Sequence, residues 1–141
     1  MNRIPPIKAV MTPFPHSIEI GDRLSRAWEM MSSHGIRHLP VMDGGALAGV
    51  ISERDLRHAQ RAPAEAGEPL VRDVCALEPY VVELSEPLDA VLLQMARSHA
   101  DAVLVVKGGR LAGIFTLSDA CRSYGKLLRT LFPPGDDDDA A

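Results

Sequence analysis

The chain has 141 residues, 46% of them hydrophobic and 24% charged, which suits one compact domain or two small halves that share a core. Only six residues are aromatic (Phe14, Trp28, Tyr80, Phe115, Tyr124, Phe132), too few for the stacked rows used by many single-strand nucleic-acid binders. The net charge of −4 equals the four aspartates at 136 to 139, and the balanced remainder excludes a broad electrostatic pull on DNA or an anionic membrane.

Met1 to Val10 holds two basic residues and two prolines but no long apolar stretch, unlike a secretory signal. His16 to Ile20 alternates as a strand does. Leu24, Ala27, Trp28 and Met31 then fall at helical spacing, with Met30 off that face, Asp22 as the expected N-cap and Gly35 as the stop. His38 to Met42 and Leu47 to Ile51 read as a hairpin about Asp43-Gly44-Gly45. A helix follows Ser52, whose Ser-x-x-Asp start has the form of a capping box. Arg61 to Pro69 is a linker by composition.

The same elements then recur. Tyr80 to Leu84 is a strand, and Leu88, Val91, Leu92 and Met95 form a helix face with Ser85 as the expected N-cap. Ala102 to Val106 and Leu111 to Phe115 make a hairpin, and a second capping-box helix follows Thr116. Pro133 to Ala141 is a polar tail, expected to be disordered.

This recurrence is a gapless internal repeat. Shifted by 64 residues, Val10 falls on Val74, Pro15 on Pro79, Leu24 on Leu88, Met31 on Met95 and Asp55 on Asp119. The densest match sets Gly44-Gly45-Ala46-Leu47-Ala48-Gly49 on Gly108-Gly109-Arg110-Leu111-Ala112-Gly113. Each unit of about 55 residues would be marginal alone, so two units are expected to pack sheet to sheet about a pseudo-twofold axis. The expected fold class is α+β (α/β in looser usage), with units at 4–60 and 70–130, a linker at 61–69 and a tail at 131–141.

Val10-Met11-Thr12-Pro13, Ile36-Arg37-His38-Leu39-Pro40-Val41 and Gly49-Val50-Ile51-Ser52-Glu53-Arg54-Asp55 resemble a cystathionine β-synthase (CBS) domain, and the tandem resembles a Bateman module. The second copy is looser at Val74-Cys75-Ala76-Leu77 but complete at Gly113 to Asp119. The resemblance implies a cleft between units that binds AMP, ADP, ATP, S-adenosylmethionine or a relative. It also implies composite pockets, each drawing on both units. In one, Thr116, Ser118 and Asp119 would face Thr12, Ile36, Arg37 and His38. In the other, Ser52, Arg54 and Asp55 would join Cys75, Ala76, Asp101 and Ala102. The first has a permanent cation for phosphate; the second has an added carboxylate and is expected to be weaker, empty or suited to an uncharged adenosine ligand.

The chemistry of the residues fits these roles. A hydroxyl and free N–H groups at a helix start suit phosphate, and an aspartate can accept from both ribose hydroxyls. The same aspartates also fit a capping role. Glycines at 49 and 113 let another group approach the backbone. Arg122, Lys126 and Arg129 share a helix face and read first as a solvated one, with polyphosphate or an acidic partner as the alternative.

Cys75 and Cys121 have no metal-ligand spacing and no evident His or Asp partner, so free thiols and a reducing, cytoplasmic setting are expected. The five histidines also lack ligand spacing, so no metal is assigned. No acid, base or nucleophile set assembles, so no enzyme activity is expected and no cofactor is required. The expectation is a homodimeric regulatory module that binds an adenine nucleotide and signals to a partner protein by a change of shape. The alternatives are a ligand-free interaction or dimerisation module, an S-adenosylmethionine binder and a nucleic-acid binder.

Overall fold

The computed structural model describes residues 3–61 and 67–135. Most of the linker and the acidic tail (62–66 and 136–141) lie outside the described residues. The first unit contains β1 (Thr12–Pro13), β2 (Ile18–Glu19), α1 (Leu24–His34), β3 (His38–Asp43), β4 (Ala46–Ser52) and α2 (Glu53–Gln60). The second contains α3 (Val71–Val74), β5 (Tyr80–Glu83), α4 (Leu88–Ser98), β6 (Ala102–Lys107), β7 (Arg110–Thr116) and α5 (Leu117–Leu131). The class is α+β, with one sheet ordered β2-β3-β4 and the other β1-β7-β6-β5.

The repeat persists in detail. Both hairpins shift register at the same place, between Val41 and Met42 and between Val105 and Val106. The two 11-residue helices, α1 and α4, each end on a left-handed residue, Gly35 (φ 62°) and His99 (φ 56°). The short α3 has its mate in a single 3-10 turn at Ile7–Ala9. Sequence reading misses both, because three or four residues leave no periodicity to detect.

These short turns belong to lead-in segments that cross between the units. Ile7 donates to the Glu86 carbonyl at 2.8 Å, and Val71 donates to the Asp22 carbonyl at 2.8 Å. Each side chain is fully buried, Ile7 in the core of the second unit and Val71 in that of the first. Burying such a side chain contributes about 1.5–3 kcal/mol, so each half is stabilised by a residue from the other. β1 extends the exchange as an edge strand on β7, with Thr12 opposite Ile114 and Pro13 opposite Gly113. Its proline lies on the edge of that sheet, where a missing N–H is tolerated.

The sheets meet through a smaller apolar layer. Ala102, Leu104 and Ile114 are buried there against Leu47, Val50 and Leu111. Leu47/Leu111 and Val50/Ile114 are repeat mates, so the layer lies on the pseudo-twofold axis.

Three local expectations are corrected. The N-cap of α1 is Arg23 rather than Asp22, and Asp22 accepts from the Glu19 N–H instead. An acceptor for the helix start comes from outside the helix: Glu68 takes the Ser25 N–H at 2.9 Å. The N-cap of α4 is Pro87 rather than Ser85. Met30 packs against the first core rather than off it, beside the half-buried Trp28.

Candidate functional site

The two capping boxes form as their sequences require. Asp119 Oδ2 accepts from the Thr116 N–H (2.9 Å) and hydroxyl (3.0 Å), and Thr116 Oγ1 accepts from the Asp119 N–H (3.3 Å). Asp55 Oδ2 accepts from the Ser52 N–H (2.9 Å), and Ser52 Oγ accepts from the Asp55 N–H (3.1 Å). The helix starts are tied to the opposite ends of their own units. Leu117 donates to the Asp101 carbonyl and Glu53 to the Arg37 carbonyl, each at 2.8 Å. Of the first three N–H groups of α5, that of Ser118 alone has no acceptor among the described residues.

A cleft of about 510 Å³ opens at this helix start. Thr12, Ile36, Arg37, His38, Thr116, Ser118 and Asp119 all line it, so the residues expected to converge from two units do lie on one cavity. Phe14, His16 and Arg122 line it as well. Arg122 is the cation that the solvated-face reading misplaces: its guanidinium donates to Asp119 Oδ1 at 3.0 Å. Helical spacing alone could not show that this face borders a cavity. Arg37 is largely exposed, and its Nε lies 3.6 Å from Glu53 Oε2, while Arg57 Nη2 binds the other carboxylate oxygen, Oε1, at 2.7 Å. Those arginines hold the Glu53 carboxyl below the usual range, the Arg57 hydrogen bond foremost.

The mate of this cleft is smaller, about 310 Å³. Ser52, Asp55, Ala76, Asp101 and Ala102 line it, together with His38, Glu78 and Tyr80. Arg54 and Cys75 do not line it, contrary to expectation. Arg54 Nη1 lies 3.9 Å from Asp101 Oδ2, and Cys75 packs against the first core, where burial pushes its thiol pKa up. Both cysteines are free.

The repeat makes the contrast between the clefts explicit. Phe14, His16, Arg37 and His38 in the larger cleft have Glu78, Tyr80, Asp101 and Ala102 as their mates in the smaller one. One cavity is lined by two arginines and an exposed phenylalanine, the other by three carboxylates (Asp55, Glu78, Asp101) and no arginine or lysine. His38 lines both. Burial holds its imidazole below the ordinary pKa; Asp101 and Asp55 oppose the shift, and Arg37 and Arg54 add to it.

The glycines at 49 and 113 serve the fold. A Cβ on Gly49 would overlap the Ala76 carbonyl, and one on Gly113 would overlap the Met11 side chain and crowd the Thr12 carbonyl. The group they admit is the exchanged lead-in segment, which in turn brings Thr12 and Ala76 to the cleft walls. No helix among the described residues is long and apolar enough to cross a membrane.

Comparison with known proteins matches the CBS domain model twice, at residues 7–62 and 71–126. Inosine-5'-monophosphate dehydrogenase of Korarchaeum cryptofilum is 32% identical over 99 residues, 70% of this chain but 20% of that protein. The chain therefore spans about a fifth of that relative's length. The CBS domain pair of protein MJ0100, solved with 5'-methylthioadenosine and S-adenosyl-L-methionine, superposes with a TM-score of 0.80 at 25% identity, covering 89% of this chain and 99% of that one. CBSX2, solved with AMP, gives a TM-score of 0.74 at 25% identity, covering 88% of this chain and 98% of that one.

Proposed function

The chain belongs to the CBS domain family, as a tandem pair, and we propose that it is a non-catalytic regulatory module that binds an adenosine-containing ligand, AMP foremost, in its larger cleft. The observation that carries this reading is the gathering of the Ser118 N–H, Arg122, Arg37 and His38 around a cavity that also holds Asp119. A helix-start amide and two guanidinium groups suit a phosphate, and Asp119 suits a ribose. CBSX2 with AMP supports the ligand class. The smaller cleft, with three carboxylates, opposes phosphate and favours an adenosine ligand that carries none; the phosphate-free ligands of protein MJ0100 support that class.

The module acts by a change of shape that a partner protein reads. A ligand shifts such an equilibrium only through its different affinities for the two shapes. The partner copy is a second chain docked on α5, none of whose residues is buried and whose Leu117, Tyr124, Leu127 and Leu131 are exposed. Two free thiols support a cytoplasmic setting.

A second reading has its own support. Asp119 and Thr116 already satisfy one another in the capping box, so the motif is explained without a ligand, and the protein would be an interaction module. Calorimetric titration with AMP, ADP, ATP, S-adenosylmethionine and NAD separates the two. Micromolar binding of a phosphate-bearing ligand, weakened in Arg37→Ala, supports the sensor. No binding across the panel leaves the interaction module.

A further inference from the structure

We propose that Phe14 is the specificity residue of the larger cleft, stacking on the purine ring of the ligand so that the cleft selects molecules that carry a base; this rests on the adenosine-ligand reading above. Phe14 has φ 46°, one of two non-glycine residues with positive φ among the described residues. For a bulky side chain that conformation is an outlier. It also precedes Pro15, and a residue before proline favours extended backbone.

The fold holds this strained residue firmly. Thr12 and Pro13 are locked to β7, and the Phe14 N–H continues that ladder to the Ala112 carbonyl at 3.0 Å. Packing gives no return for the strain: the side chain is 90% exposed and belongs to none of the three apolar clusters. It does line the larger cleft. Strain without packing, at the wall of a cavity, points to use of the ring by something else.

The position fits a base. Ala112, to which Phe14 is bonded, lies four residues back along β7 from Thr116, roughly 13 Å at strand rise. With a phosphate at the Ser118 N–H, the far end of an extended nucleotide reaches the level of Phe14. The smaller cleft lacks the device, because the repeat mate of Phe14 is Glu78.

The test is calorimetric titration of wild type, Phe14→Ala, Phe14→Leu and Phe14→Gly with AMP, alongside thermal unfolding of each. Loss of an aromatic stacking partner should weaken AMP about five- to a hundredfold in the alanine and glycine variants, less in the leucine variant. Phe14→Gly should unfold at a higher temperature than Phe14→Ala, because glycine adopts this φ without strain. A better-folded glycine variant that binds AMP worse than wild type is the result expected. AMP affinity within twofold of wild type in both Phe14→Ala and Phe14→Gly overturns the Phe14 assignment and leaves AMP binding standing. Wild type that binds neither AMP nor any other adenosine ligand overturns both.

Discussion

Gly49 and Ala76 lie so close that any side chain on the glycine would meet the alanine carbonyl oxygen. Val50, next along β4, exchanges both backbone hydrogen bonds with Ala76, at 3.0 and 2.9 Å. This pair shows how the two halves are joined: a lead-in segment of one unit is stitched onto the hairpin of the other. Gly49→Ala drives Cβ into a backbone oxygen that is held on both sides, so it should cost about 1–3 kcal/mol in urea unfolding. Gly113→Ala should cost less, because the Met11 thioether it meets can swing away. Equal and negligible losses would show that the exchange does not depend on these glycines.

The two capping aspartates separate structure from binding. Asp119→Ala and Asp55→Ala each remove a capping box, at about 1 kcal/mol of stability. On the reading advanced above, Asp119→Ala also loses a charged hydrogen bond to ribose and weakens AMP roughly 10- to 150-fold. Asp55→Ala leaves AMP affinity unchanged. Matched stabilities with unmatched affinities are the expected pattern, read by thermal unfolding and calorimetry together.

Glu53 restrains Arg37, the cation proposed to meet the phosphate. Its carboxylate stands 3.6 Å from Arg37 Nε while Arg57 grips it more closely. Glu53→Gln releases Arg37, and AMP affinity should rise a few-fold, more at low salt than at high salt. A fall in affinity would place the phosphate away from Arg37.

His38 links the clefts to pH. Its folded pKa lies below the ordinary 6.5, with burial the main cause. The unfolded chain therefore takes up this proton at higher pH than the folded one. The His38 contribution to stability is complete above that ordinary value and is lost as pH falls through it toward the folded value. Wild type should lose more stability than His38→Asn between about pH 7.5 and pH 5.5. Urea unfolding of both proteins at both values reads the difference.

The proposed dimer contact is tested at the end of α5. Leu131 is 60% exposed on a helix that buries no residue. Leu131→Glu should convert a dimer to a monomer in sedimentation, without loss of helix signal. A wild-type monomer at high concentration would instead leave this face without a second copy.

Much of this was legible in the sequence. The gapless repeat defined both hairpins, both capping boxes and the long helices, because 2-residue and 3.6-residue periods are local properties. The convergence of Thr12 with Ile36 to His38 and Thr116 to Asp119 came from family resemblance, since no local pattern reveals exchange between units. Arg122 and Phe14 carry no sequence signal that marks them as cleft residues. The first looks like any exposed helix cation, and the second reaches the cavity through a positive φ that a Pro-Phe-Pro sequence disfavours. The family resemblance puts Cys75 in the smaller cleft, but its side chain packs against the first core.

A crystal structure of the protein with AMP decides whether the larger cleft is a nucleotide site. AMP is expected in the larger cleft, its phosphate at the Ser118 N–H within reach of Arg37 and Arg122, and its ribose on Asp119. AMP seated in the carboxylate-lined smaller cleft, or absent from crystals grown at saturating AMP, would contradict that assignment.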